Sequence, residues 1–285
     1  MTSLVCPNEP ALLERLEGRT LCVCVDSPDE IVAAAKRAGR RNRLHCVICD
    51  CATPIEDIKI EASWRGIPIA LRAPSTGRFR ALSGKLRALR SLNLRVFLAC
   101  DRANLVGARL LASLGIPVCV EFGAAPDWNA LADLMVYALL GIAPHAPIEP
   151  FETMAGCYHR TQRSEDWGRA WFDDPASYLH LDADGRVALS RRALVASDFV
   201  ADDAGALETA AVREAIAARR EAWRTLFADN HFCARCKAWR ICAGRFRDGK
   251  TQPDGCEAFF CETAEAIERR RDKTKKNERA APWQP

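Results

Sequence analysis

Five of the chain's fourteen cysteines crowd into one short stretch: Cys233, Cys236, Cys242, Cys256 and Cys261. The first three form a C-x2-C-x5-C run, "CARCKAWRIC". Two thiols separated by two residues can bend round one metal centre, because the turn between them aims both sulfurs and its amides inward. A tetrahedral thiolate site needs a fourth ligand, which Cys256 or Cys261 would supply. Gly244, Gly249, Pro253 and Gly255 make the segment rich in turns, as a metal loop is and a run of packing cysteines is not. Zinc and an iron-sulfur cluster both accept four thiolates. The stretch lacks the second C-x2-C or H-x3-H of structural zinc ribbons, and His231 is the only imidazole near it. The spacing therefore favours one 4Fe-4S cluster, with zinc as the alternative.

The other cysteines sit in a different kind of sequence. Cys22 and Cys24 alternate along one apolar run and so face the same way, while Cys46, Cys100 and Cys119 lie in or at the ends of others. Cysteine packs as a small hydrophobe, and core filling is the reading these positions favour. Cys49 and Cys51, near the end of a run, are the pair best placed for a second site. Asp26, Asp50 and Asp101 each follow an apolar run, where α/β folds carry functional groups, but they suit helix caps equally well. Glu121 stands isolated and receives no acid-base role. No G-x-G-x-x-G, Walker loop or G-x-S-x-G is present.

The elements that must carry these residues are legible in the first half. "TLCVCVD" (20–26), "LHCVICD" (44–50), "IPIALRA" (67–73), "LRVFLAC" (94–100) and "IPVCVEF" (116–122) are continuous apolar runs. They fit strands covered on both faces, the habit of parallel sheets. Helices are expected between them at 27–41, 83–93, 102–115 and 127–141, the first opening with Ser27 as cap and Pro28 in the first turn. Repeating βα units of this kind make a partial (β/α) barrel or an open α/β sheet. The Pro-rich connector "GIAPHAPIEPF" (141–151) breaks the rhythm. Beyond it, 177–190 reads as a hairpin with Asp184-Gly185 in its turn, 205–227 as a helix, and 256–271 as a last helix.

With 285 residues the chain can bury one large or two ordinary cores. The net charge of +4 is concentrated at "RRRDKTKKNERA" (269–280), where seven Lys/Arg face two Asp/Glu, so the remainder is nearly neutral. The body thus carries no basic footprint for nucleic acid, and the basic end reads as a solvated, disordered tail. No apolar run is long enough to cross a bilayer, and "MTSLVCPNEPALLERLEG" has no secretory pattern. These features place the protein in the cytoplasm, where clustered cysteine means metal or redox chemistry more often than disulfides.

"CARCKAWRICAGRFRDGKTQPDGC" resembles the C-terminal SPASM domain of radical S-adenosylmethionine enzymes that mature peptides and proteins. The likeness is good over 233–261 and weak over 155–265. It implies that Cys233, Cys236 and Cys242, with Cys256 as last ligand and Cys261 in reserve, hold one auxiliary 4Fe-4S cluster. The family's next cysteine position is Phe246 here, its hairpin-end position is Ser190, and Cys157 is a lone remnant, so the resemblance implies one cluster retained and one lost. The first half resembles the family's partial (β/α) barrel, yet no C-x3-C-x2-C occurs to hold the cluster that cleaves S-adenosylmethionine. The expectation is three parts: a degenerate barrel over 1–145, a SPASM-like domain over 146–268 and the basic tail over 269–285. The resemblance implies an accessory protein and not an independent enzyme, working beside a radical S-adenosylmethionine enzyme and its precursor peptide by electron relay or docking. The rival from another class is a zinc-bearing interaction protein on an α/β scaffold. Lys237, Arg240, Arg245 and Arg247 would add positive charge around a cluster, and Trp239 an aromatic surface.

Overall fold

Short apolar strands with both faces covered assemble into one nine-stranded sheet. The computed structural model describes residues 2–123, 126–162, 166–246 and 254–280. The strands are β1 (Ser3–Pro7), β2 (Thr20–Val25), β3 (Arg43–Asp50), β4 (Ile69–Ala73), β5 (Leu94–Ala99), β6 (Val118–Glu121), β7 (Ile148–Glu149), β8 (Tyr178–Leu181) and β9 (Val187–Ala188). Their order is β7-β6-β5-β4-β3-β2-β1-β8-β9. All pairings are parallel except the β8-β9 hairpin. Parallel neighbours need crossovers, and the helices supply them.

Those helices are α1 (Pro10–Arg15), α2 (Ile31–Gly39), α3 (Phe79–Ser83), α4 (Leu86–Arg90), α5 (Arg102–Ser113) and α6 (Trp128–Leu140). Ser27 caps the turn before α2 by accepting the Asp29 amide, with Pro28 at its first position. Asp101 caps α5 by accepting the Asn104 amide at 2.9 Å. The helices cover one face of the sheet: Val23, Val47, Leu71, Val96 and Val118 pack there with Ile31, Ala34, Leu111 and Leu131. On the opposite face, Cys22, Cys46, Ile48, Ala70, Phe97 and Cys119 are covered by Ala170 and Phe172. This is why the strand runs read as continuous rather than alternating.

Four features were not legible as such. β1 and β7 add to the five strands the apolar runs suggest. β8 lies beyond the Pro-rich connector yet pairs with β1, so the sheet runs on past the boundary drawn at 141–151. The stretch 205–227 is not one helix: α9 (Ala210–Glu221) ends at Ala222 and α10 (Trp223–Ala228) follows. The Trp223 ring stacks on Trp239 at 5.6 Å between centroids, which anchors the chain where the two helices meet. Finally, α13 (Cys256–Ala280) continues through the basic run 269–280, which is helix where a disordered tail was expected. The hairpin itself matches its turn signal, with Gly185 at φ +92°, a left-handed conformation glycine adopts without strain.

Candidate functional site

The cysteine segment follows α10 as three short elements. α11 (Phe232–Arg235) carries Cys233, Cys236 ends that turn, and α12 (Trp239–Cys242) presents Cys242. Cys256 opens α13. Cys233, Cys236, Cys242 and Cys256 all line one small cavity of about 10 Å³. Its other walls include Phe232, Trp239, Phe246 and Phe260. Cys261 is not on that wall. It lies five positions along the helix from Cys256, a rotation of about 140° to another face, and it is half-buried against the main core.

The backbone around Cys242 is built to serve a sulfur anion. Ala243 at φ +52° and Gly244 at φ +69° are both left-handed, which turns the following amides back on the thiol. The Cys256 thiol donates to Cys242, and the N–H groups of Gly244, Arg245 and Phe246 add further donors; together they hold Cys242 below its ordinary pKa although it is buried. Cys256, as the donor and with Cys242, Cys236 and Cys233 nearby, is pushed up. Burial raises Cys236 to about 11 against an opposing hydrogen bond from the Ala238 amide. Successive amides converging on one acceptor form the concavity in which many iron-sulfur sites sit. His231 is a cap: its Nδ1 accepts the Cys233 amide at 3.2 Å.

Among the described residues no group of three or more His, Cys, Asp or Glu side chains is placed so that it could hold a metal ion. The donor set nevertheless fits a thiophilic centre in kind, with four thiols on one wall and amide hydrogens already aimed at one of them. Closure around a metal commonly accompanies its binding.

The positions where a second cluster would find ligands serve packing. Phe246 stacks with Phe122 at 6.1 Å and lies tilted against Phe260 at 5.8 Å between centroids. Ser190 is buried and caps α8 (Arg191–Val195) by accepting the Ala193 amide. Cys157 is buried at the end of α7 (Phe151–Cys157).

The cations expected around the centre divide. Lys237 and Arg240 are exposed, and Arg240 donates to the Arg160 carbonyl at 3.1 Å. Arg245 turns away from the sulfurs: it pairs with Asp166 and Asp173 and lies over the Trp167 and Trp171 rings at 4.5 and 5.2 Å. Arg247 lies outside the described residues. Arg245 thereby ties the cysteine segment to the stretch that covers the sheet. That stretch is further pinned by Trp167 donating to the Ile241 carbonyl and Trp171 donating to the Val120 carbonyl. No sequence pattern announced this connection.

At the strand ends, Asp50 pairs with Arg72 at 3.4 Å and with Arg191 at 3.2 Å. Glu121 is not isolated, as its sequence context suggested: Arg72 Nε meets it at 3.0 Å, reaching across β5. Asp101 is the α5 cap, and Asp26 is exposed. Cys49 and Cys51 do meet, with sulfurs 3.2 Å apart.

Among the described residues no helix is long and apolar enough to cross a membrane. No protein-family model, no curated protein and no solved structure matches the chain.

Proposed function

We propose that this chain is a non-catalytic accessory protein, a degenerate partial (β/α) barrel with a SPASM-like segment, that holds one 4Fe-4S cluster on Cys233, Cys236, Cys242 and Cys256. It works in the cytoplasm beside a radical S-adenosylmethionine enzyme acting on a peptide. The observation that carries this reading is the shared cavity: four thiols chosen by spacing line one wall, and three amides donate to one of them. Two features support the non-catalytic part. The sequence has no C-x3-C-x2-C, and the inner face of the sheet is occupied by the chain's own 167–172 stretch, with Phe172 stacked on Phe97 at 5.7 Å. All fourteen cysteines are thiols, as suits a reducing compartment.

A bound cluster would supply one-electron transfer. The chain's own contribution is to hold it: the amides after Cys242 neutralise thiolate charge, and Phe232, Trp239, Phe246 and Phe260 restrict water. Such hydrogen bonds and burial are what tune the potential of a thiolate-held centre.

Anaerobic reconstitution followed by iron and sulfide analysis, absorption and EPR spectroscopy tests the reading. The expected result is one 4Fe-4S cluster per chain, lost in Cys233→Ser/Cys236→Ser. Protein that takes up zinc and no iron supports the interaction-module alternative instead, since four thiolates serve zinc equally.

A further inference from the structure

Far from the turns after α10, two thiols meet where β3 ends. Cys49 is the last but one residue of the strand and Cys51 follows its last, Asp50. Positions two apart on a strand face the same way, and here the sulfurs stand 3.2 Å from each other. Two residues of strand span about 6.6 Å, inside the window of about 4.4 to 6.8 Å between Cα atoms that a disulfide bridges. The backbone on both sides is held. The Cys51 amide donates to the Arg72 carbonyl at 2.8 Å, and Asp50, between the two cysteines, pairs with Arg72 and Arg191. The sulfurs are therefore already in place to bond.

The two thiols are not equivalent. Cys49 is wholly buried, whereas Cys51 is 8% exposed and is followed at once by the exposed Ala52 and Thr53. The Cys49 thiol donates to Cys51, which holds Cys51 below its ordinary pKa against burial and the Asp50 charge, while Cys49 as donor is pushed up. The nucleophile in exchange is the thiolate, so the outer sulfur is the attacking one and the inner sulfur the resolving one. The pair also sits at the C-terminal edge of a parallel sheet, where α/β folds carry functional groups.

We infer that Cys49 and Cys51 are a redox-active dithiol that exchanges with low-molecular-weight disulfides. The Cys51 thiolate attacks one sulfur of the guest disulfide, whose S–S bond breaks; the other half leaves as a thiolate and takes up a proton. Cys49 then releases its own proton and attacks the Cys51 sulfur. The mixed disulfide breaks, and the second half of the guest leaves and is protonated. The protein gives up two electrons and two protons to form one disulfide, and the guest is reduced to two thiols. In a reducing compartment such a bond is transient and serves exchange or sensing. The inference does not rest on the proposed cluster.

Oxidised glutathione is the probe. The full chain is treated with it, quenched in acid, labelled with N-ethylmaleimide in urea and cut with trypsin. Cleavage after Arg43 and Lys59 releases peptide 44–59, which carries Cys46, Cys49 and Cys51. Two of its three labels should be lost, leaving Cys46 labelled and the peptide lighter by two hydrogens, and dithiothreitol should restore all three. Cys46 is an internal control, because it lies on the opposite face of β3 from the pair. Cys49→Ser and Cys49→Ala, checked for folding by circular dichroism, should accumulate the glutathione adduct on Cys51, since the second attack is gone. The inference is overturned if Cys49 and Cys51 both stay labelled, if the disulfide takes in Cys46, if dithiothreitol does not reverse it, or if folded variants leave Cys51 without an adduct. Should neither variant fold, the pairing in the unaltered chain and its reversal decide the matter.

Discussion

Two of the surroundings in which cysteine occurs here, the strands and the turns after α10, separate a packing thiol from a proposed ligand. Cys119 on β6 is wholly buried, and burial raises its thiol well above its ordinary value. Its sulfur faces the Ala170 carbonyl at 3.6 Å, so the hydrogen bond it makes requires the proton to stay. Cys242 is almost as deeply buried but is pulled the other way, because a thiol and three amides donate to it. Burial alone therefore does not mark a ligand. What distinguishes the two sulfurs is whether the neighbouring backbone offers oxygen or N–H.

The largest effect expected from this contrast is in metal retention. Cys242→Ala should abolish iron uptake on anaerobic reconstitution, whereas Cys119→Ala should keep it and lower stability by about 1 kcal/mol, the scale of one small buried group. Cys256→Ala and Cys261→Ala extend the comparison along α13, with iron lost only in the first. Full iron content in Cys242→Ala, or its loss in Cys119→Ala, would dissolve the distinction.

How much of this was readable from residue order follows from where each cause lies. β2 to β6 are visible because strands covered on both faces leave unbroken apolar runs. β7 has two residues, too few for any pattern, and β1 owes its second neighbour to β8, well over a hundred positions away. The three clustered thiols of the proposed ligand set were legible because C-x2-C-x5-C is a local spacing. The amide donors were not, since Ala243 is left-handed here and alanine gives no sign of that. The Arg72 to Glu121 pair escaped for a related reason: it spans an intervening strand, and nothing near Glu121 in sequence points to a cation. Gly244 signalled a turn without revealing that the turn faces a thiol.

The next expected effect belongs to the strand side. His180 on β8 is buried and shares a hydrogen bond of 2.9 Å with the Phe172 carbonyl, which requires N–H at Nε2. Burial holds its pKa down at about 4, against an ordinary 6.5 when unfolded. Between these values the unfolded chain binds the extra proton and the folded chain does not. Stability contributed by the neutral ring is therefore intact above about pH 6.5, is lost as pH falls toward 4, and changes no further below that. The full span corresponds to roughly 3 kcal/mol. Urea unfolding across this range should show the slope, and His180→Gln, which retains an N–H donor, should flatten it. An unchanged slope in the variant would mean that other groups carry the acid sensitivity.

The smallest effect compares two glycines, one from each region. Gly39 ends α2, and a Cβ built there would touch nothing within 4 Å. Gly39→Ala should therefore stabilise the fold by about 0.5 kcal/mol, by restricting the unfolded chain and improving helix propensity. Gly244 has φ +69°, and a Cβ there would lie 2.5 Å from Leu226 Cδ1. The leucine tip can shift, but the backbone must still pay for a left-handed alanine, about 1 kcal/mol. Thermal denaturation should show the opposite signs directly. A second readout separates strain from function: if the turn after Cys242 exists to aim amides at sulfur, Gly244→Ala should also raise the Cys242 thiol pKa, measured by pH-dependent alkylation of a variant in which the other thirteen cysteines are serine or alanine and folding has been verified. Gly39→Ala in that background should not. A loss of stability with an unchanged thiol pKa would show that Gly244 serves packing against α10, and that the amides find their sulfur without it.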